Sequence, residues 1–179
     1  AQAIDPGARV VYVDIDPVAV AHSRQILAGN EQVAIIQEDL RAPERICQHP
    51  ATRALFDFRQ PIAVLLVAVL HFIPDSDDPP GVLANFRKVL APGSYLVLSQ
   101  ASAEGRRDDE VDPIQAVYRQ RVDNSLYPRS RAELARLFDG FDLVEPGVVW
   151  ASQWRPDTPD SVDSANQAVI ACGVGRLSA

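Results

Sequence analysis

Four short apolar runs, each free of charge and each followed by a helical pattern or a turn, constrain this chain more than any other feature. They cover residues 10–13 (VVYV), 33–37 (VAIIQ), 62–69 (IAVLLVAV) and 95–99 (YLVLS). Each is a compact β-branched or leucine-rich run bounded by turn residues, and so reads as a strand. A continuous apolar run implies burial on both faces. Strands obtain that in a parallel sheet, because right-handed crossovers lay the connecting helices over its faces. The intervening segments predict helices over 17–27, with Pro17 in the first turn, over 43–55, and over 80–90, with an apolar stripe at Val82, Leu83, Phe86 and Leu90. A more polar region, 104–127, is expected to contain a helix around 112–124. The stretch RSRAELARLFDGF predicts another, with Ser130 as its cap before Glu133 and Gly140 after its end. Two last strands, 142–150 and 168–173, flank the proline-bearing loop QWRPDTPDSVDSANQ. The order is that of an α/β chain with a mixed sheet edge.

With 179 residues, 47% of them hydrophobic, the chain is long enough for one well-buried domain and too short for two ordinary ones, so 1–179 reads as a single domain. A formal charge of -7 argues against nucleic acid and anionic membranes as partners, since gripping phosphate normally takes a basic face. Cys47 and Cys172 are far apart and without metal-ligand spacing, which fits a reducing cytoplasm. No run is long enough to span a membrane, and AQAIDPGARV lacks the basic and apolar regions of a signal peptide. Asp75, Asp77 and Asp78 in PDSDDPP read as the approach to the Pro80 helix, and no metal site is expected.

The first two strands end in acids: Asp14 and Asp16 after the first, Glu38 and Asp39 after the second. In an open parallel sheet, ligands sit beyond the carboxyl ends of the strands. A carboxylate there can accept both hydroxyl hydrogens of a ribose in charge-assisted bonds. Asp14 stands where that acid is needed, though a solvated strand-end aspartate or a helix cap reads equally well from spacing. Asp16 reads first as the cap of the Pro17 helix. An acid after the second run can accept from an adenine amino group while the neighbouring backbone recognises a ring nitrogen.

The stretches VVYVDIDP, QEDL, VAVLHFIPD, FRKVLAPGSYLVLS and RSRAELARLFDGFDLVEPGVV, in this order, resemble class I S-adenosylmethionine-dependent methyltransferases. More narrowly, they resemble the actinobacterial family first catalogued as a domain of unknown function. The resemblance implies a Rossmann-like, mostly parallel sheet with helices on both faces and a C-terminal antiparallel strand pair, the final strand being inserted. It implies S-adenosyl-L-methionine as cofactor and a small-molecule methyl acceptor as partner. By the same resemblance Asp14 matches the ribose-binding acid, Ile15 packs on the adenine, and Asp16 joins them as a cofactor-binding residue of the same segment. Asp39 and Leu40 match the adenine-contacting pair, and Val69, Leu70 and His71 match the segment lining the methionine end. Val67 stands where many amino-group methyltransferases carry an acid or asparagine, which disfavours methylation of DNA amino groups.

The family's first strand and glycine-rich turn should precede AQAIDPGARV, so the resemblance implies an N-terminally truncated domain, with self-association of the chain as an expected consequence. Methyl transfer from a sulfonium rests largely on orientation, and a base is needed only for a protonated acceptor. His71 is the candidate base, with a packing role as its alternative. Tyr118, Tyr127 and Trp154 are candidates to border an acceptor pocket, or are amphipathic filler. Two competing readings stay open: an NAD-dependent dehydrogenase, which also places a ribose-binding acid after its second strand, and a non-catalytic module of the same fold.

Overall fold

The computed structural model describes residues 1–104, 126–158 and 169–178. The expected helix at 112–124, the run RRDDE, Tyr118 and Ala168 lie outside the described residues. In chain order the elements are β1 (Val10–Asp14), α1 (Pro17–Ile26), β2 (Val33–Gln37), α2 (Pro43–Gln48), α3 (Pro50–Leu55), β3 (Ala63–Val67), α4 (Pro79–Val89), β4 (Tyr95–Ala101), α5 (Arg131–Arg136), β5 (Asp142–Leu143), β6 (Val149–Trp150) and β7 (Ile170–Arg176). They fall into two compact units, Ala1–Ile62 with Gly81–Ala91, and Ala63–Pro80 with Pro92–Ala179.

In the first unit β1 and β2 pair in parallel, from Val10 opposite Val33 to Asp14 opposite Gln37. The crossover helix α1 starts where its cap allows, because the Asp16 side chain accepts from the Val18 N–H at 2.7 Å and Pro17 needs no amide partner. Val20 of α1 and Ile36 of β2 are buried. The helix expected over 43–55 is two helices. Pro50 has no N–H to continue the first, so His49 takes an extended conformation, and its Nδ1 caps α3 by accepting from Ala51 N–H at 3.1 Å. His49 is half-buried in this role. The predicted stripe is buried, Val82, Leu83 and Phe86 on α4 and Leu90 just past its end.

The second unit holds a sheet ordered β3-β4-β7-β5, with β6 also paired to β7. β3 and β4 are parallel, while β7 runs antiparallel to β4, β5 and β6. The last strand in sequence is thus inserted beside β4, as the resemblance implied. The single strand expected over 142–150 is broken into β5 and β6. Pro146 offers no ladder donor, and the Gly147 N–H closes a turn onto Val144 O at 2.8 Å. α5 carries the predicted cap: Ser130 N–H donates to the Glu133 carboxylate at 2.8 Å while the Ser130 hydroxyl faces the Glu133 amide.

The two faces of this sheet differ. One carries Leu66, Leu96, Leu98, Gln100 and Ala171, all buried. On the other, Leu65 is 61% and Val67 58% exposed, although their run is as apolar as a strand covered on both sides. On the buried face Gly173 and Gly175 leave room for Phe138, which is 2% exposed. A Cβ on Gly175 would lie 2.7 Å from Phe138 Cδ1 and 2.8 Å from Phe141 Cβ. Gly175→Ala is therefore expected to lower stability by about 1 to 3 kcal/mol through overpacking. Phe138→Leu in the same chain should reduce that cost only in part, since Phe141 Cβ cannot move away. A double-mutant cycle by urea unfolding measures both, and a neutral Gly175→Ala would refute the packing argument.

Candidate functional site

The carboxyl ends of β1 and β2 are sewn together. Asp14 O accepts from Glu38 N–H at 3.1 Å, and the Gln37 side chain donates to Ile15 O at 3.3 Å. Beyond β1 two aspartates turn the chain in succession. Asp14 Oδ1 accepts from Asp16 N–H at 2.9 Å, and Asp16 in turn caps α1. This leaves the exposed Asp14 carboxylate with an oxygen, Oδ2, that has no partner among the described residues. Ile15 beside it is 59% exposed, an apolar surface of the kind a flat ring can cover.

After β2 the acids are already engaged. Glu38 pairs with Arg45 at 3.1 Å. Asp39 accepts from Arg41 through the backbone N–H at 2.8 Å, Nε at 3.0 Å and Nη2 at 2.6 Å. The Arg41 guanidinium, against some opposing desolvation, holds the Asp39 carboxyl below the usual carboxylate range. A carboxylate has about four acceptor positions, so about one remains for a ligand amine. The half-buried Leu40 carries an N–H with no hydrogen bond among the described residues, free to meet a ring nitrogen.

In the second unit, β3 ends in a sharp turn. Ala68 has φ 53°, a left-handed conformation unusual for a residue with a Cβ, and its N–H donates to Ser99 O at 2.9 Å and Ser99 Oγ at 3.1 Å. Val69 leads into a short 3-10 turn over Leu70–Phe72 in which Leu70 is 0% and His71 4% exposed. The turn is bonded to β4 through the imidazole, since His71 Nδ1 accepts from Ala101 N–H at 3.1 Å. Phe72 stacks edge-on against the ring at 4.5 Å. Burial first, and then the nearby Arg129 guanidinium, hold the imidazole below the ordinary histidine range. A neutral ring that accepts at Nδ1 must carry its proton on Nε2. His71 in this state presents an Nε2–H donor.

Sequence reasoning missed Arg129, whose guanidinium donates to Leu70 O at 3.0 Å, Ile73 O at 2.8 Å and Asp75 Oδ1 at 2.6 Å. Nothing in the periodicity of YPRSRAEL distinguishes this buried arginine from the partly exposed Arg131 two residues on. Tyr127 is 38% exposed, and its N–H donates to His71 O at 2.8 Å. Trp154 stacks under Arg155. Among the described residues no group of three histidine, cysteine or acidic side chains could hold a metal ion, and no helix is long and apolar enough to cross a membrane. The hollow bounded by Ala135, Phe138, Phe141 and Leu143 contains none of the candidate residues.

The family model described as S-adenosyl methyltransferase matches residues 1–178. Among solved structures, a protein of Thermobifida fusca YX assigned as a methyltransferase is similar with a TM-score of 0.89 and 37% identity, covering 100% of this chain and 66% of that one. A DUF574 family protein of Streptomyces avermitilis MA-4680 gives 0.88 and 32%, covering 99% of this chain and 68% of that one. The chain thus spans about two-thirds of the length of each relative. The N-methyltransferase NodS of Bradyrhizobium japonicum WM9, in complex with S-adenosyl-L-homocysteine, has a TM-score of 0.54 at 17% identity, covering 94% of this chain and 66% of that one, a likeness of fold alone. No curated protein is significantly similar to the chain. These findings favour the methyltransferase reading over the dehydrogenase one.

Proposed function

The chain belongs to the S-adenosyl methyltransferase family, and from that premise we propose that the protein moves the methyl group of S-adenosyl-L-methionine onto an oxygen or nitrogen nucleophile of a small molecule. The observation that supports this most directly is the pair of acid-tipped parallel strands, where Asp14 presents an open carboxylate oxygen and the Leu40 N–H is unpaired among the described residues. In this reading Asp14 accepts from the ribose hydroxyls and Ile15 covers one face of the adenine. Asp16 keeps the turn rigid by capping α1. Asp39 accepts from the adenine amino group with the capacity Arg41 leaves it, and Leu40 N–H donates to a ring nitrogen. Val69 lines the methionine end, while Leu70, expected to line it too, is fully buried and supports the turn from beneath.

The bound cofactor supplies a methyl group already activated on a sulfonium, so the protein's part is to orient the reactants and exclude water. His71 contributes a fixed Nε2–H donor at the turn after β3, and an acceptor that attacks as a neutral amine needs no base from it. The two free thiols, Cys47 and Cys172, fit a cytoplasmic protein. The open apolar face around Leu65 and Val67 is the surface through which we expect chains of this length to self-associate.

Calorimetric titration of S-adenosylhomocysteine into the full-length protein, with NAD as control, tests the cofactor assignment. Screening small hydroxyl and amine compounds for methylated products then tests the reaction. Failure to bind, or preference for NAD, would sink the proposal, and binding without any product would favour the non-catalytic module. Sedimentation velocity on the 179-residue chain reads the association state, and a strictly monomeric chain counts against self-association through the open face.

A further inference from the structure

We propose that Arg129 is the positioning residue of the turn after β3, holding it in the one arrangement that presents His71 as a fixed N–H donor. This rests on the reading that the turn lines the methionine end of the cofactor.

The guanidinium side chain is 7% exposed, and its acceptors among the described residues lie in that turn, in the residues following it as far as Asp75, and in the strand beneath. It donates to the carbonyls of Leu70 and Ile73, which flank His71 on either side, at 3.0 and 2.8 Å. It also reaches Gln100 Oε1 of β4 at 3.4 Å and Asp75 Oδ1 at 2.6 and 3.1 Å. A planar fork of five N–H groups can meet acceptors in these several directions, whereas an ammonium concentrates its donors on one atom.

The backbone closes the arrangement into a circuit. Arg129 N–H donates to Ala101 O at 3.2 Å, Ala101 N–H donates to His71 Nδ1 at 3.1 Å, and His71 O accepts from Tyr127 N–H at 2.8 Å, two residues before Arg129. Displacing any link shifts the imidazole. Among the described residues the acid that meets the guanidinium is Asp75, itself 87% exposed, so within them the buried cation is compensated largely by carbonyl dipoles. A buried charge held this way is a weak source of stability compared with an apolar side chain of similar size, and its use here fits the fixing of one geometry.

The test follows the ring nitrogens of His71 by 15N NMR in the full-length protein, alongside S-adenosylhomocysteine affinity. Wild type should show an unprotonated Nδ1 and a protonated Nε2 at neutral pH. Arg129→Gln should average the two nitrogen signals through mixed tautomers and weaken S-adenosylhomocysteine binding about 10-fold. Arg129→Lys restores the charge without the fork and should stay closer to the glutamine variant than to wild type. Asp75→Asn, altering an exposed side chain, decides the matter if Arg129→Gln does not fold, and should disturb the same two signals to a smaller extent. Unchanged ring nitrogens in Arg129→Gln, or in Asp75→Asn where that variant decides, would overturn the proposal, as would full rescue by lysine. So would an affinity loss that leaves those nitrogens as in wild type, since the effect would then bypass the turn. A wild-type protein that binds no S-adenosylhomocysteine fails the functional reading instead, and the ring nitrogens alone then judge Arg129.

Discussion

Asp14→Ala is expected to weaken S-adenosylhomocysteine binding about 10- to 100-fold, the equivalent of about 1.5 to 3 kcal/mol for removing a carboxylate that accepts charge-assisted bonds. The side chain is exposed and among the described residues makes one hydrogen bond, accepting from Asp16 N–H at 2.9 Å, so its loss should disturb the ligand more than the fold. Asp14→Asn separates the two contributions. The amide oxygen can still accept from Asp16 N–H and preserve the turn, while the negative charge that strengthens the ribose bonds is gone. We expect the asparagine variant to melt with wild type and to recover only a minor part of the affinity. Calorimetry beside thermal unfolding reads both, and a folded Asp14→Ala that binds as wild type removes Asp14 from the site.

His71→Ala is expected to lower stability by about 2 to 4 kcal/mol, because it deletes a buried ring and leaves the Ala101 N–H without its acceptor. The size of that loss follows from the 4% exposure of the ring and its bond to β4. His71→Gln places an amide oxygen within reach of the same N–H and should recover part of it. The histidine also gives stability a pH dependence of defined sign. Burial, followed by Arg129, makes the folded imidazole bind a proton less readily than in the unfolded chain. The unfolded state therefore takes up more protons as pH falls. The stabilisation is complete above the ordinary histidine value of about 6.5 and declines below it, by up to about 1.4 kcal/mol per pH unit, until the folded imidazole also titrates. Urea unfolding between mildly acidic and neutral pH should show this decline in wild type and a flatter profile in His71→Gln. Equal slopes in the two proteins would show that His71 is not the group responsible.

The strands and helices were legible because each depends on the residues it contains. The unbroken apolar runs place β1 to β4 within one or two residues of their ends, and Asp16 and Ser130 announce the helices they cap. Two breaks were also written locally and were passed over: Pro50 divides α2 from α3, and Pro146 with Gly147 divides β5 from β6. The candidate acids were found for the same reason, since a charge that ends an apolar run is visible in the run itself. How far each acid is already engaged was not visible. Asp14 keeps an open oxygen while Asp39, with the same chemistry at the end of the next strand, is gripped by Arg41.

Periodicity says which residues prefer burial, and so it predicted two covered faces for the run holding Leu65 and Val67, yet both side chains are exposed. Coverage depends on what packs against a strand, and a run of apolar residues carries no record of that. The same limit explains His71. The sequence offered an imidazole near the end of a strand, the usual description of a base. Only the fold brought Ala101 N–H to its Nδ1 from 30 residues away and Arg129 to the carbonyl of Leu70 from 59 residues away. The chain by itself determined its alternation of strands and helices, their caps and the acids at the first two strand ends, because these follow from conformational preferences and spacings within a few residues. The tertiary structure decided the insertion of β7 beside β4, the open sheet face and the bond from Ala101 N–H to His71 Nδ1. Those depend on hydrogen bonds and burial between segments that become neighbours only when the chain has folded.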